Sequence, residues 1–329
     1  MAPKISVIIP IYQVEDYIER CLHSLLCQTL DDIEYIFVND ASPDTSIERI
    51  KQICSKYPLR RNIKIIEHKK NCGVAAARNT GIVNATGDYV VFCDGDDWVE
   101  LDMYEKLYMK AVSEDYDIVA CDFSMHFSDH TEMFTTVDSC SDKIFLLKKY
   151  MMCGWTVLWN FIAKRSLYYN YDIRFYENCN FGEDYGVSVR LMNSATSYAR
   201  ISEPLYHYNR CNENSIVNKS NIRSKKDKTT ESQVEIYKKI NAYFKSENLY
   251  EDLKDVLSWR MLAAKRGWLL NFSKRKEYLD LYPESNSYIN SNPLCSAKDK
   301  FCQKIFLKFY WWIFLIPLKY LFLLKDLKH

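Results

Sequence analysis

The chain has 329 residues, 48% of them apolar and 26% charged, with only 8 Gly and 8 Pro. That composition excludes a disordered, collagen-like or linker-rich polypeptide and allows one large domain with an appendage, or two modest ones. The formal charge of +1 hides an asymmetry: residues 295–329 carry seven Lys against two Asp, leaving the rest near −4. A basic excess confined to one apolar, aromatic end suits an anionic membrane surface, whereas nucleic acid would call for basic residues along a face of the main domain. The twelve cysteines are scattered without a C-x-x-C pair, so neither a zinc knuckle nor a disulfide framework is expected. The N-terminus runs directly into a strand pattern without a signal peptide, which reads as a cytoplasmic protein.

In chain order, Ile5–Pro10 is a buried-strand run, followed by apolar residues at helical spacing from Tyr17 to Leu26. Ile33–Val38 is a second strand ending on Asn39-Asp40, and a helix carries Ile47, Ile50 and Ile53. Ile63–Glu67 reads as a third strand, Gly73–Ala85 as a third helix, and Tyr89–Cys93 as a fourth strand. Asp102–Ala111 is helical, and Asp117–Cys121 is a fifth strand. Strands alternating with helices of this length imply βαβ units and a mostly parallel sheet. Ligands bind such a sheet beyond the carboxyl ends of its strands, which places Asp40 and Asp94 at one crevice.

Beyond residue 121 the pattern loosens: a hairpin or loop over His126–Ser141, a helix over Ile144–Met152, an apolar aromatic stretch over Trp155–Lys164, and a helix over Gly182–Asn193. Pro204–Arg210 reads as a short strand, and Ile222–Asn271 as two or three packed helices. No internal repeat is present.

Asp94-Gly95-Asp96-Asp97 follows the fourth strand directly. Alone it fits an acidic surface turn. After a parallel strand, it suits a divalent ion bridging the phosphates of a sugar-diphosphate leaving group, and hard carboxylate oxygens select Mg2+ or Mn2+.

Several blocks in series carry a resemblance. Ser6–Tyr12, Ser24–Thr29, Phe37–Ser42, Asn71–Gly81 and Asp94–Asp97 resemble, in order and spacing over the first hundred residues, the family 2 glycosyltransferases. The resemblance implies an α/β chain of the GT-A fold, a nucleotide-binding αβα sandwich over residues 1–220 with a donor-nucleotide half (1–121) and an acceptor half (122–220). A helical extension over 221–329 would follow. It further implies inverting, metal-dependent transfer of a single sugar from a nucleotide sugar, UDP by family precedent, to a glycan or lipid-linked glycan in cell-surface polysaccharide synthesis.

By the same resemblance, Pro10 and Tyr12 line the base and ribose pocket, Asp40 meets the uracil edge, Asp94 contacts ribose, and Asp94 and Asp96 hold the metal. Glu15 falls where a donor-pocket acid occurs, and equally where a helix N-terminus favours an acid. Arg78 lies near the donor phosphates or the acidic loop, forms an internal salt bridge, or does both. Glu183-Asp184 matches the later acidic pair, with Asp184 as general base and Glu183 supporting it or the acceptor. Trp159 would stack on an acceptor sugar or fill the core, His207 would complete the metal shell, and Arg210 would clamp the diphosphate.

Processive synthases of the same broad family carry Q-x-x-R-W and several spans. Ser258-Trp259-Arg260 lacks the Gln, which favours single addition. Two rival readings stand beside this one. A sugar-nucleotide-forming nucleotidyltransferase needs a Gly-rich loop after the first strand, and Pro10–Glu15 has no Gly. A catalytically silent glycan-binding scaffold would not need Asp96 and Asp184. The basic, aromatic segment at about 301–325 is expected first to lie on the inner face of the cell membrane, making the protein peripheral there, with a buried or oligomeric helix second and a true span third. Oligomeric state is left open.

Overall fold

The computed structural model describes residues 3–58, 62–179, 181–212, 215, 223–269 and 271–308. The chain divides into two compact units, Met1–Lys219 and Ser220–His329.

The first unit opens with β1 (Ile5–Ile11), α1 (Ile18–Leu26), β2 (Ile33–Asn39), α2 (Ser46–Cys54), β3 (Ile63–Glu67), α3 (Val74–Asn84) and β4 (Tyr89–Phe92). β1 and β2 are apolar almost throughout because both faces of the sheet are covered. Side chains alternate between those faces. Ile5, Val7, Ile9 and Ile11 join the core that also holds Ile18, Leu22, Leu25, Ile47 and Ile50 of α1 and α2. Ile8 faces the other way, against α3. A Cβ built on Gly81 of that helix would sit 2.2 Å from Ile8 Cγ2, so glycine is what lets α3 lie flat on the sheet.

There follow β5 (Trp98–Val99), α4 (Met103–Ser113), β6 (Ile118–His126), β7 (Thr131–Phe134), α5 (Lys143–Met152), β8 (Phe161–Lys164), α6 (Arg165–Asn170), α7 (Glu183–Ser194) and β9 (Tyr198–Asn209). Among the described residues the sheet has nine strands in the order β3-β2-β1-β4-β8-β6-β9-β5, with β7 on β6. The expected α/β architecture is present, and the first four neighbours are parallel. The remainder is mixed: β8 is antiparallel to both β4 and β6, β9 is parallel to β6, and β5 is antiparallel to β9. β8 falls in a stretch whose sequence shows only apolar and aromatic character, and β9 is 12 residues long where a short strand was expected. Both strands owe their form to partners distant in the chain.

The second unit is helical as expected: α8 (Arg223–Ser246), α9 (Tyr250–Lys265), α10 (Arg275–Asp280) and α11 (Ala297–Leu307), with short 3-10 turns between. Its core gathers Val234, Ala264, Trp268, Tyr278, Ile305 and Phe306. Ser296 and Asp299 form a reciprocal cap that starts α11. The beginning of the expected membrane segment, residues 301–307, is therefore a helix with Cys302, Ile305 and Phe306 buried in this core and Phe301 exposed. Residues 309–325 lie outside the described residues. Among the described residues no helix is long and apolar enough to cross a membrane. The twelve cysteines are all free.

Candidate active site

Three chain segments converge beyond the carboxyl ends of β1 and β4. The amide N–H of Cys93 donates to the Ile8 carbonyl (3.0 Å), continuing the ladder one residue past β4 and fixing where Asp94 begins. Gly73, at φ 89°, starts α3, and Arg78 lies a turn further on, 3% exposed. Gly182, at φ 79°, starts α7 and puts Glu183 and Asp184 in its first turn. Asn79 ties the two helices' regions together: its amide donates to the Phe175 carbonyl (3.0 Å) and its Oδ1 accepts from the Phe175 N–H (2.8 Å).

The Arg78 guanidinium then collects acids from both directions. Nη2 lies 2.9 Å from Asp94 Oδ1, while Nη1 lies 2.9 Å from Glu183 Oε1 and 2.6 Å from Asp184 Oδ1. Phe92 and Phe175 flank it at 5.9 and 5.6 Å. Burial disfavours its charge, but Asp184, Asp94 and Glu183 outweigh that and hold Arg78 above its ordinary value. Its buried Nε has no partner among the described residues. Arg78 is thus the internal salt-bridge residue of this crevice, and the expected gathering of Asp94 with Asp184 occurs on one side chain.

The acidic loop divides its labour. Asp97, fully buried, accepts from the Tyr206 hydroxyl (2.6 Å) and the Asn209 N–H (2.7 Å), which locks the loop onto β9. Asp96 Oδ2 accepts from Asn212 Nδ2 (2.7 Å) and its carbonyl from Asn209 Nδ2 (3.2 Å). Asp96 is pushed up to about 6, chiefly by burial and then by Asp94. Asp97 is raised by burial and by Asp96 and Asp94. Asp184 is raised by burial, which exceeds the opposing pull of Arg78 and is reinforced by Glu183 and Asp94. Among the described residues no other side chain and no backbone group of another residue donates to Asp94 Oδ2 or Asp96 Oδ1. Two uncommitted hard oxygens in a crevice with more carboxylates than cations fit a divalent ion such as Mg2+ or Mn2+.

Other expected site residues are placed differently. Asp40 does not join the cluster. It sits two strands from Asp94, roughly 10 Å by strand spacing, and its carboxylate accepts from Cys72 N–H, Gly73 N–H and His68 Nδ1, each at 2.8 Å. Glu15 accepts from the Thr45 N–H (3.0 Å) and hydroxyl (2.5 Å), which hold its carboxyl below the usual range and order the turn into α2. Pro10 is partly buried at the end of β1, and Tyr12 is 43% exposed beside it. His207 is engaged by residues other than Asp94 and Asp96. Its Nε2 pairs with Glu100 (2.8 Å), its Nδ1 with His126 (3.0 Å), and its ring stacks on Trp98, so both nitrogens are committed elsewhere. Trp159 is a core ring, 3% exposed, stacked on Tyr206 at 4.1 Å and edge-on to Phe123, with no face free for a sugar. The Arg210 guanidinium lies 5.8 Å from the Tyr208 ring, at the end of β9.

Tyr206, Asn209 and Asn212 were not found from sequence, although they hold Asp96 and Asp97. Their spacing of three does not match the two-residue period of the strand that carries the first two, and their role exists only once β9 runs beside β5. His68 was missed because a lone histidine after a strand carries no local signal.

The family model "Glycosyl transferase family 2" matches residues 6–181. The chain is 37% identical over 228 residues to the uncharacterized glycosyltransferase EpsJ of Bacillus subtilis, spanning 66% of this chain and 63% of that one. It is 29% identical over 305 residues to the minor teichoic acid biosynthesis protein GgaB of the same organism, spanning 89% of this chain and 33% of that one. The matched region is thus less than two thirds of either relative's own length. Among solved structures, S. aureus TarS 1–349 in complex with UDP-GlcNAc superposes with a TM-score of 0.66 at 18% identity, covering 93% of this chain and 91% of that one. A mannosyltransferase from Pyrobaculum calidifontis in complex with GDP-Man and Mn2+ does so at 0.54 and 16% identity, covering 93% and 87%. The expected GT-A-like fold is borne out by these likenesses, and the chain belongs to glycosyl transferase family 2.

Proposed function

We propose that the chain is a glycosyltransferase that moves one sugar, with inversion, from a UDP-sugar to a hydroxyl of a glycan or lipid-linked glycan in cell-surface polysaccharide or teichoic acid synthesis. The observation that carries this reading is the sharing of one guanidinium by Asp94 and Asp184, which holds a loop acid and a helix acid at one crevice. Family membership and the names of the relatives supply the reaction class.

In this reading the nucleotide lies over the ends of β1 and β2, bounded by Pro10, Tyr12 and the Asp40 loop, within the donor half at 1–121. Asp94 and Asp96 would hold Mn2+ or Mg2+, which when bound offsets charge on the departing diphosphate as a Lewis acid. Asp184 takes the proton of the acceptor hydroxyl while that oxygen bonds to the anomeric carbon, and the bond to the diphosphate oxygen breaks on the opposite face. Its raised proton affinity suits a base acting near neutral pH. Arg78 orients Asp184 and Glu183 and keeps the crevice from accumulating uncompensated charge. Arg210 is assigned to the diphosphate and residues 122–220 to the acceptor half. The segment at about 301–325 is assigned to peripheral attachment at the inner membrane face, with Cys302, Ile305 and Phe306 excepted because they are buried in the helical core.

The test is a panel of nucleotide sugars with Mn2+, scored by release of free nucleotide, repeated with Asp96→Ala and Asp184→Asn. Release from one donor that both substitutions abolish supports the reading. Absence of metal-stimulated release from every donor would overturn it in favour of a silent glycan-binding scaffold.

A further inference from the structure

A second ligand set lies at the end of β2, apart from the acidic loop. Asp40, His68 and Cys72 bring a carboxylate oxygen, an imidazole nitrogen and a thiol sulfur within 4.8 Å of one another. A tetrahedral zinc site needs such atoms roughly 3.3–3.6 Å apart, a difference that side-chain rotation covers for the exposed Cys72. The supporting contacts are those of a built site. Asp40 is 3% exposed and oriented by the N–H groups of Cys72 and Gly73 at 2.8 Å. His68 Nε2 lies 2.9 Å from Thr80 Oγ1, the outer hydrogen bond that a ligating histidine uses to fix its ring.

From this geometry we infer that Asp40, His68 and Cys72 form a site for zinc or a similar borderline cation, which closes the donor-nucleotide end of the crevice. Nitrogen and sulfur donors select Zn2+ or Co2+, whereas the all-oxygen pair Asp94 and Asp96 suits Mg2+ or Mn2+, so the two positions sort different ions. On binding, the cation takes the place of the proton between His68 Nδ1 and Asp40 Oδ1. The imidazole carries its proton on Nε2, where Thr80 accepts it, and the Cys72 thiol releases one proton to solvent. With Asp40 so engaged, the cation and the nucleotide base exclude one another. That consequence rests on the function proposed above; the cation site itself does not.

Titration of the full-length protein with Co2+ is expected to produce thiolate-to-cobalt charge-transfer absorption that saturates at one ion per chain. Cys72→Ser should abolish it and weaken Zn2+ binding at least about tenfold, while Cys27→Ser, at another exposed thiol, leaves both unchanged. In the unsubstituted protein Zn2+ should also slow alkylation of Cys72, read by peptide mass spectrometry. Undiminished absorption in Cys72→Ser, or alkylation of Cys72 at the same rate with and without Zn2+, would overturn the site. With a donor found, Zn2+ should inhibit competitively against it and Cys72→Ser should relieve the inhibition by at least about tenfold. Noncompetitive or unrelieved inhibition would refute the mutual exclusion. A chain that turns over no donor would refute the proposed function, and the cobalt signal would still decide the site.

Discussion

Glu34 at the amino end of the parallel sheet and the acidic crevice at its carboxyl end treat carboxylates in opposite ways. At the amino end, Glu34 of β2 is 2% exposed and receives the Ser6 hydroxyl (2.5 Å), the Thr86 N–H (2.9 Å), the Thr86 hydroxyl (2.8 Å) and the Lys64 ammonium (2.5 Å). Burial raises its proton affinity, but these donors outweigh burial and hold it below the ordinary carboxylate range. At the carboxyl end, Asp96, Asp97 and Asp184 are all raised, burial being the first cause in each case. Glu34 has its charge satisfied and stabilises the fold, whereas the acidic loop and Asp184 hold more carboxylates than cations and leave oxygen available to a ligand; Asp40, at the same end, is satisfied by its own three donors. The difference teaches where binding energy is stored: a crevice short of positive charge is completed by what it binds.

The sharpest test of that contrast is Asp184→Asn, which should cut turnover by about 10²–10⁴-fold with donor affinity and fold retained, measured by steady-state kinetics and nucleotide binding. The unsubstituted enzyme should lose activity on the acid side at a pH above the usual carboxylate range, because Asp184 must be ionised to accept a proton and its affinity for that proton is raised. Next in size, Arg78→Met leaves three partly buried carboxylates of the crevice without their shared cation. It should cost about 3–5 kcal/mol of stability by urea unfolding, enough to leave a typical domain marginal. Equal stability would mean that the acids are not confined as the contacts imply.

Smaller effects separate the two ends. Glu34→Gln should cost about 1–3 kcal/mol, since it leaves Lys64 and the surrounding donors poorly matched, and should leave turnover unchanged. Asp96→Asn should do the reverse: a gain of about 1 kcal/mol without divalent ion near neutral pH, together with loss of the Mn2+-dependent rise in melting temperature. The sign follows from linkage. A folded-state value of about 6 lies above that of the unfolded chain, so the native state holds this proton longer. The metal-free protein therefore loses Asp96's contribution as pH rises from about 4 to about 6, whereas Mn2+ stabilises only above that window. A variant that is destabilised without metal would contradict the carboxyl end's shortage of positive charge.

Much of the first half was legible because local chemistry and tertiary role coincide there. Near-continuous apolar runs such as Ile5–Ile11 and Ile33–Asn39 can only be strands covered on both faces, and intervening helical patterns force them parallel. Asp40 and Asp94 at strand ends follow from that alone. The rest was settled by partners far away in sequence. Arg78 meets Glu183 and Asp184 across 105 and 106 residues, and Asp97 meets Asn209 across 112. Trp159 and His207 carry residue types that suit a sugar and a metal, yet the pairing of β5 with β9 and the stacking on Tyr206 turn one into core and the other into a partner of Glu100. Asp40 has the right position for the acidic cluster, but the β3–α3 loop supplies it with three N–H donors. Periodicity states which face of an element is apolar. Which donor reaches a given carboxylate depends on where the chain returns, and only the assembled fold decides that.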